Sequence, residues 1–304
     1  MAVFLGACAP GVAPRVATPG SDGPVVRPSP GCAAGAAAIV PDRLVVAGRG
    51  RSLLTDLPQG RAARPRDLVI AFHGRTNDAR EARGYFGLDE ALPHAIVIYP
   101  QALPAGSAGF AWSDPGDAPE RLRDFAFVAA IVEAVGQARC VDLERVFVVG
   151  HSLGAYFANE VACRLGDRVR GVASVAGGVR TGACSGGAAA LLVHHPADPL
   201  VSIHAGEAAR DAFLAANGLA GAPAVAATGG ALAPLRCVRH GEPTAADPVV
   251  WCARDDASHP PGRSDPHTWP DGAAAAIAAF FEGLPRAQDT AGAAAATVAT
   301  IAPP

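Results

Sequence analysis

Lysine is absent from this chain of 304 residues. All 25 basic residues are arginines, set against 28 acidic ones for a formal net charge of −3. With no long basic run, that balance argues against a nucleic-acid partner. The missing lysines and the abundance of alanine read as base composition of the gene before function. No stretch of 18 uninterrupted apolar residues occurs, so no segment is a candidate membrane span. The seven cysteines form no metal-type Cys-x-x-Cys pair. No internal repeat is found, and aromatics make up only 6% of residues. What is present is apolar bulk: half of the residues are hydrophobic, enough to bury a large core in one α/β-sized domain.

The most informative stretch is Val148-Val149-Gly150-His151-Ser152-Leu153-Gly154. The apolar run 146–149 leads straight into Gly-x-Ser-x-Gly, and a helical pattern follows over residues 155–165. Strand, tight turn and helix are what a nucleophile elbow requires, with the glycines making room for a strained, exposed serine. In a chain with 35 glycines the five-residue pattern alone is weak. Its flanks make Ser152 a candidate nucleophile, against the plainer reading of an ordinary β-to-helix turn.

A serine needs a base, and the base needs a carboxylate, in the chain order Ser, Asp or Glu, His. The buried-strand pattern 190–193 ends at His194-His195-Pro196-Ala197-Asp198-Pro199, which puts Asp198 at a strand's carboxyl end. A turn former is the alternative for an Asp before Pro. Asp211 and Asp247 are weaker rivals. Beyond the strand pattern 248–252 lie two candidate bases, His259 and His267. His73, after the strand pattern 68–72, and His151 read as positioning or substrate-binding residues near the serine. His94, His204 and His240 read as ordinary surface or core histidines.

These motifs resemble the secreted α/β-hydrolase esterases that include feruloyl esterases, acetylxylan esterases and polyhydroxybutyrate depolymerase-like lipoproteins. The resemblance runs with gaps from about Ser29 to Pro285. Its pieces begin with Ser29-Pro30-Gly31-Cys32, Ala71-Phe72-His73-Gly74-Arg75 and Ile98-Tyr99-Pro100-Gln101. Cys140 to Val146 then leads into the elbow, and Val175-Ala176-Gly177-Gly178 follows it. Ala197-Asp198-Pro199-Leu200-Val201, Val250-Trp251-Cys252 and His267-Thr268-Trp269-Pro270 complete the set. The resemblance implies Ser152 as nucleophile, Asp198 as acid and a histidine near the Trp-Pro pair as base. Two departures stand out: Gly154-Ala155 replaces a Gly-Gly pair, and Asp265-Pro266 replaces two glycines before the histidine. The base therefore stays open between His259, seven residues past Cys252, and His267, which carries the better local motif and is preferred.

The fold expected is an α/β-hydrolase fold, a mostly parallel central sheet with helices on both faces. Strand patterns near 43–47, 67–73, 95–99, 145–150, 171–176, 189–195 and 248–252 alternate with helical patterns near 123–138, 153–165, 205–216 and 272–283. Residues 1–30 read as a truncated signal or lipobox-like start and a flexible Pro/Gly/Ala tether, 31–285 as the domain, and 286–304 as a disordered Ala/Thr-rich tail.

Setting Cys8 aside leaves six cysteines, an even number that suits disulfides in an oxidising compartment; six buried thiols in a cytoplasmic enzyme is the alternative. Cys237 with Cys252 is the pairing held most firmly. Cys140 and Cys163 end helices beside the elbow strand and are expected at one sheet edge, which leaves Cys32 and Cys184 by elimination. Leu5-Gly6-Ala7-Cys8 resembles a lipobox and makes Cys8 a candidate lipid anchor. Seven residues without a basic segment are too few for a working signal peptide, so that reading requires a start upstream of Met1. Location is expected outside the cytoplasm: secreted, periplasmic or in the cell envelope.

The chemistry expected is ester hydrolysis without metal or cofactor. The N–H groups of Leu153 and Arg75 would form the oxyanion hole, and Trp112, His73 and His151 would lie around the substrate. The substrate is a polysaccharide-linked feruloyl or acetyl ester, or a hydroxyalkanoate polyester; the low aromatic content argues mildly against tight polymer capture. A non-catalytic envelope lipoprotein with the same fold is the reading from a different class.

Overall fold

The computed structural model describes residues 26–33, 39–59, 64–113, 122–166, 168–181, 183–227, 229–242, 245–254 and 266–285. The lipobox-like start, most of the tether, the tail, Cys8 and His259 lie outside them.

The apolar runs become the inner strands of one sheet. In chain order the strands are β1 (Arg43–Val46), β2 (Arg49–Asp56), β3 (Arg66–Phe72), β4 (Ile96–Pro100), β5 (Leu103–Pro104), β6 (Phe110–Ala111), β7 (Val141–His151), β8 (Gly171–Val175), β9 (Ala189–His194), β10 (Ala224–Ala227), β11 (Cys237–His240) and β12 (Val249–Ala253). The helices are α1 (Ala79–Phe86), α2 (Leu88–Ala91), α3 (Arg123–Ala138), α4 (Leu153–Arg164), α5 (Ile203–Ala216) and α6 (Ala273–Glu282). The ten-stranded sheet has the order β1-β2-β4-β3-β7-β8-β9-β12-β11-β10. From β4 to β12 the pairs are parallel, and the two antiparallel pairs at each edge close it off.

Period-two alternation loads both faces of this sheet with apolar side chains. Along β3, Leu68, Ile70 and Phe72 face a core shared with Phe127, Ile131, Phe157 and Phe213 of α3, α4 and α5. Val69 and Ala71 face the opposite core with Phe86 of α1 and Ile277 and Phe281 of α6. Phe147 of β7 stacks on Phe281 at 4.3 Å between ring centres.

The chain winds from β3 outward to β4, then returns to place β7 on the other side of β3. Such a reversal opens a crevice at the carboxyl ends of the strands, where ligands of open α/β sheets bind. Ser152 follows β7 at this point.

The inner strands and four helices follow the sequence patterns closely, with α3 spanning the expected residues 123–138. Strands β2, β5, β6, β10 and β11 and helices α1 and α2 are additions. β2 carries polar residues, and β10 is only four residues long and mostly exposed, so neither shows the longer buried run that marks the interior.

Three disulfides join described residues: Cys32–Cys140, Cys163–Cys184 and Cys237–Cys252. Cys237–Cys252 is as expected, linking directly opposed residues of β11 and β12. The other two correct the sequence-based pairing of Cys140 with Cys163 and Cys32 with Cys184. The segment around Ser29 runs along the start of β7, with the Ser29 N–H on the Val141 carbonyl at 2.8 Å, which delivers Cys32 to Cys140. The β8–β9 connection returns to the end of α4, with the Ser185 N–H on the Cys163 carbonyl at 2.9 Å, which delivers Cys184 to Cys163.

Non-reducing peptide mapping of exported protein should recover these three pairs. Cys32–Cys140 closes a separation of 108 residues and Cys237–Cys252 one of 15. By loop-closure entropy, replacing the first pair with serine should cost about 4–5 kcal/mol and the second about 3 kcal/mol. Equal losses, or free Cys237 and Cys252 thiols, would contradict this account.

Candidate active site

The elbow is built by close approach. Ser152 takes φ 56° and ψ −121°, a conformation that L-residues reach only under strain, of order 1–3 kcal/mol. A Cβ on Gly150 would collide with the Gly154 carbonyl, and one on Gly154 with the Phe72 carbonyl of β3. Both positions therefore need glycine if the turn is to sit against the sheet. The Ser152 N–H bonds to the Val175 carbonyl at 2.9 Å, and α4 starts at once with Leu153.

His267 reaches this serine from the far end of the β12–α6 connection. Its Nε2 is 2.9 Å from Ser152 Oγ, and its Nδ1 is 2.8 Å from Asp198 Oδ2 and 3.1 Å from Asp198 Oδ1. Asp198 Oδ1 also accepts from the N–H groups of Leu200 at 2.8 Å and Val201 at 2.9 Å. Burial pushes the Asp198 carboxyl up, but the bonds from Val201, His267 and Leu200 outweigh it and leave it below the usual carboxylate range. With Asp198 ionised, Nδ1 of His267 carries the proton and Nε2 is free to accept one from the serine.

The loop after β3 borders the nucleophile. A Cβ on Gly74 would sit 3.5 Å from that of Ser152, and the Arg75 carbonyl accepts from the Phe110 N–H at 2.8 Å. His73 is buried behind this loop, 1% exposed. Its Nδ1 donates to the Gly74 carbonyl at 2.7 Å and its Nε2 accepts from the Ala102 N–H at 3.1 Å. Trp112 is also buried. Its indole N–H donates to the His73 carbonyl at 2.9 Å, and its ring stacks on Phe157 at 5.2 Å. Together with Leu153, Tyr156 and Arg180, Trp112 and Phe157 line a small cavity beside the elbow.

Of the other residues considered from sequence, Asp211 bonds its neighbour Arg210 on α5 and Asp247 pairs with Arg170 at 3.0 Å; the carboxylate that bonds His267 is Asp198. His204 pairs with Glu207 on the exposed face of α5. The structure adds residues that the sequence did not single out. Tyr85 on α1 bonds His151 Nδ1 at 3.2 Å, and Gln101 Nε2 lies 3.1 Å from His73 Nε2. Arg51 and Asp124 form a buried ion pair, and Asp124 accepts from the Ser113 N–H at 2.7 Å, beside Trp112. The capping box Asp78–Glu81 and the turn at Gly87 were legible signs of α1, and hence of Tyr85. A buried arginine such as Arg51 leaves no such sign.

Three histidines around the site are held neutral. Burial lowers His73 and His194, and lowers His151 to about 4. Once unfolded, each returns to about 6.5 and binds protons that the folded state refuses. Their contribution to stability is therefore complete above about pH 6.5 and lost as pH falls, for His151 through about 4. Asp198, held low, loses its contribution only below the usual carboxylate range. The urea midpoint should fall between about pH 7 and pH 4.5, and His151→Phe should flatten part of that slope. A midpoint unchanged over this interval would contradict the neutral assignment.

A family model for the alpha/beta hydrolase fold matches residues 106–199. The chain is 30% identical over 180 residues to a probable feruloyl esterase C of Aspergillus terreus, covering 56% of this chain and 63% of the relative. It is 28% identical over 198 residues to feruloyl esterase D of Neurospora crassa, covering 61% and 64%. It is 31% identical over 115 residues to poly(3-hydroxyalkanoate) depolymerase C of Paucimonas lemoignei, covering 36% and 28%. The chain thus spans somewhat under two thirds of the feruloyl esterases' length. Among solved structures, the acetyl xylan esterase of Aspergillus awamori shares the fold, with a TM-score of 0.53 at 16% identity over 67% of this chain and 87% of that one.

Proposed function

We propose that this chain, a member of the α/β-hydrolase esterase family, is a serine carboxylic-ester hydrolase. The observation that carries the reading is the continuous hydrogen-bonded chain from Ser152 Oγ through His267 to Asp198, at 2.9 and 2.8 Å. In this reading His267 Nε2 takes the Ser152 proton as Oγ attacks the ester carbonyl, and Asp198 stabilises the imidazolium. The tetrahedral oxyanion is held by the N–H groups of Leu153 and Arg75, each such donor worth about 3–4 kcal/mol in the transition state. The alcohol leaves with the histidine's proton. Water then attacks the acyl-enzyme by the same route and releases the acid.

For substrate class, the reading is an ester of the feruloyl or acetylxylan type. It is supported by the longer matches to feruloyl esterases. The shorter match to a polyester depolymerase keeps polyester as the second reading. Three disulfides favour export. A lipid link at Cys8 remains part of the proposal and is tested by mass analysis of the membrane fraction. The decisive assay is hydrolysis of p-nitrophenyl acetate, followed by methyl ferulate, acetylated xylan and short-chain polyester. Turnover of methyl ferulate above the polyester is expected. No turnover of any ester would sink the enzyme reading.

A further inference from the structure

His267 lies fifteen residues beyond Cys252. A connection of that length carries a closure-entropy cost. An error of about 1 Å at a reacting group can cost about 10²-fold in rate. Something must therefore return the imidazole to one position.

Arg254, the residue after β12, is 3% exposed. Its Nη2 donates to the Pro266 carbonyl at 3.0 Å and to the Thr268 carbonyl at 3.1 Å. The carbonyl between them, that of His267, accepts from His151 Nε2 at 2.7 Å. Three consecutive main-chain carbonyls, 266 to 268, are thus held by buried side chains. Both donors are anchored in the sheet. The Arg254 N–H bonds to the His194 carbonyl at the end of β9 at 3.0 Å, and His151 is the last residue of β7, beside the nucleophile. The His267 carbonyl can only accept, so His151 Nε2 donates; in the neutral ring Nδ1 then accepts from the Tyr85 hydroxyl at 3.2 Å.

We propose that Arg254, together with His151, is a positioning residue for the base: its guanidinium staples the far end of the β12–α6 connection to its near end. The imidazole is thereby held against Ser152 and Asp198. Neither Arg254 nor His151 touches the reacting atoms. The inference rests on the triad reading given above. An arginine suits the task because its charge persists at every working pH and its N–H groups point in fixed directions.

The test compares Arg254→Met, Arg254→Lys and His151→Phe in the full, disulfide-bonded chain on p-nitrophenyl acetate. Arg254→Met is expected to lose about 10²-fold in kcat with KM within about threefold, because Arg254 does not line the cavity beside the elbow. Arg254→Lys keeps a cationic donor and should recover about tenfold of that loss. The far-downfield proton resonance of His267 Nδ1–H on Asp198 should broaden or vanish in Arg254→Met but persist in Ser152→Ala. A folded Arg254→Met with wild-type kcat and an unchanged resonance would overturn the proposal. If Arg254→Met does not fold, Arg254→Lys and His151→Phe decide: lowered kcat with a weakened resonance in both supports the clamp, and wild-type values in both overturn it. Should Ser152→Ala stay active, the triad reading fails, while the resonance still reports whether the clamp orders His267.

Discussion

Ser152→Ala should lower kcat for ester hydrolysis by a factor of about 10⁴–10⁶ with little change in thermal midpoint. The asymmetry follows from what the substitution removes. Alanine keeps the Cβ, so the strained turn at φ 56° between Gly150 and Gly154 is no worse than before. The hydroxyl's hydrogen bond to His267 Nε2 is lost, and a net contribution of that kind is only about 1 kcal/mol. In the proposed mechanism its role as nucleophile has no substitute. Activity on p-nitrophenyl acetate and a thermal melt of the same preparation are the two measurements. A folded variant keeping more than about a tenth of wild-type activity would mean that another group attacks the ester.

The second large effect separates the two histidines of the last connection. His267→Ala should lose activity about as completely as Ser152→Ala, whereas His259→Ala should retain most of it. Only one imidazole can stand within about 2.6–3.2 Å of the serine oxygen, and His267 Nε2 is 2.9 Å from Oγ with its other nitrogen on Asp198. His259 lies outside the described residues, so the mutants carry the comparison. A dead His259→Ala beside an active His267→Ala would transfer the role to His259. If both variants stay active, the triad reading fails and the non-catalytic envelope lipoprotein becomes the better account.

Much of this protein is legible in its sequence because much of it is local. Gly150 and Gly154 are required by collisions within and just beside one turn, so the elbow can be read from seven letters. Strands buried on both faces must be continuous apolar runs, and for that reason 68–72 and 146–149 stand out unaided. Helix α3 announces itself by its own periodicity. Strand β2, with its polar residues, and the short, largely exposed β10 carry no such mark.

What chain letters do not carry is which distant segments meet. Two histidines in one long connection are nearly equivalent as text; His267 stands at Ser152 because Arg254, just after β12, and His151, at the end of β7, seize the carbonyls on and around it. Cys140 likewise has no local reason to prefer Cys32 over Cys163. The choice is made by the segment at Ser29 pairing with the start of β7 while the β8–β9 connection returns to α4. Local sterics and burial act within a few residues and so leave a pattern in sequence. Pairing across the sheet depends on the path of the whole chain, and only the folded molecule selects it.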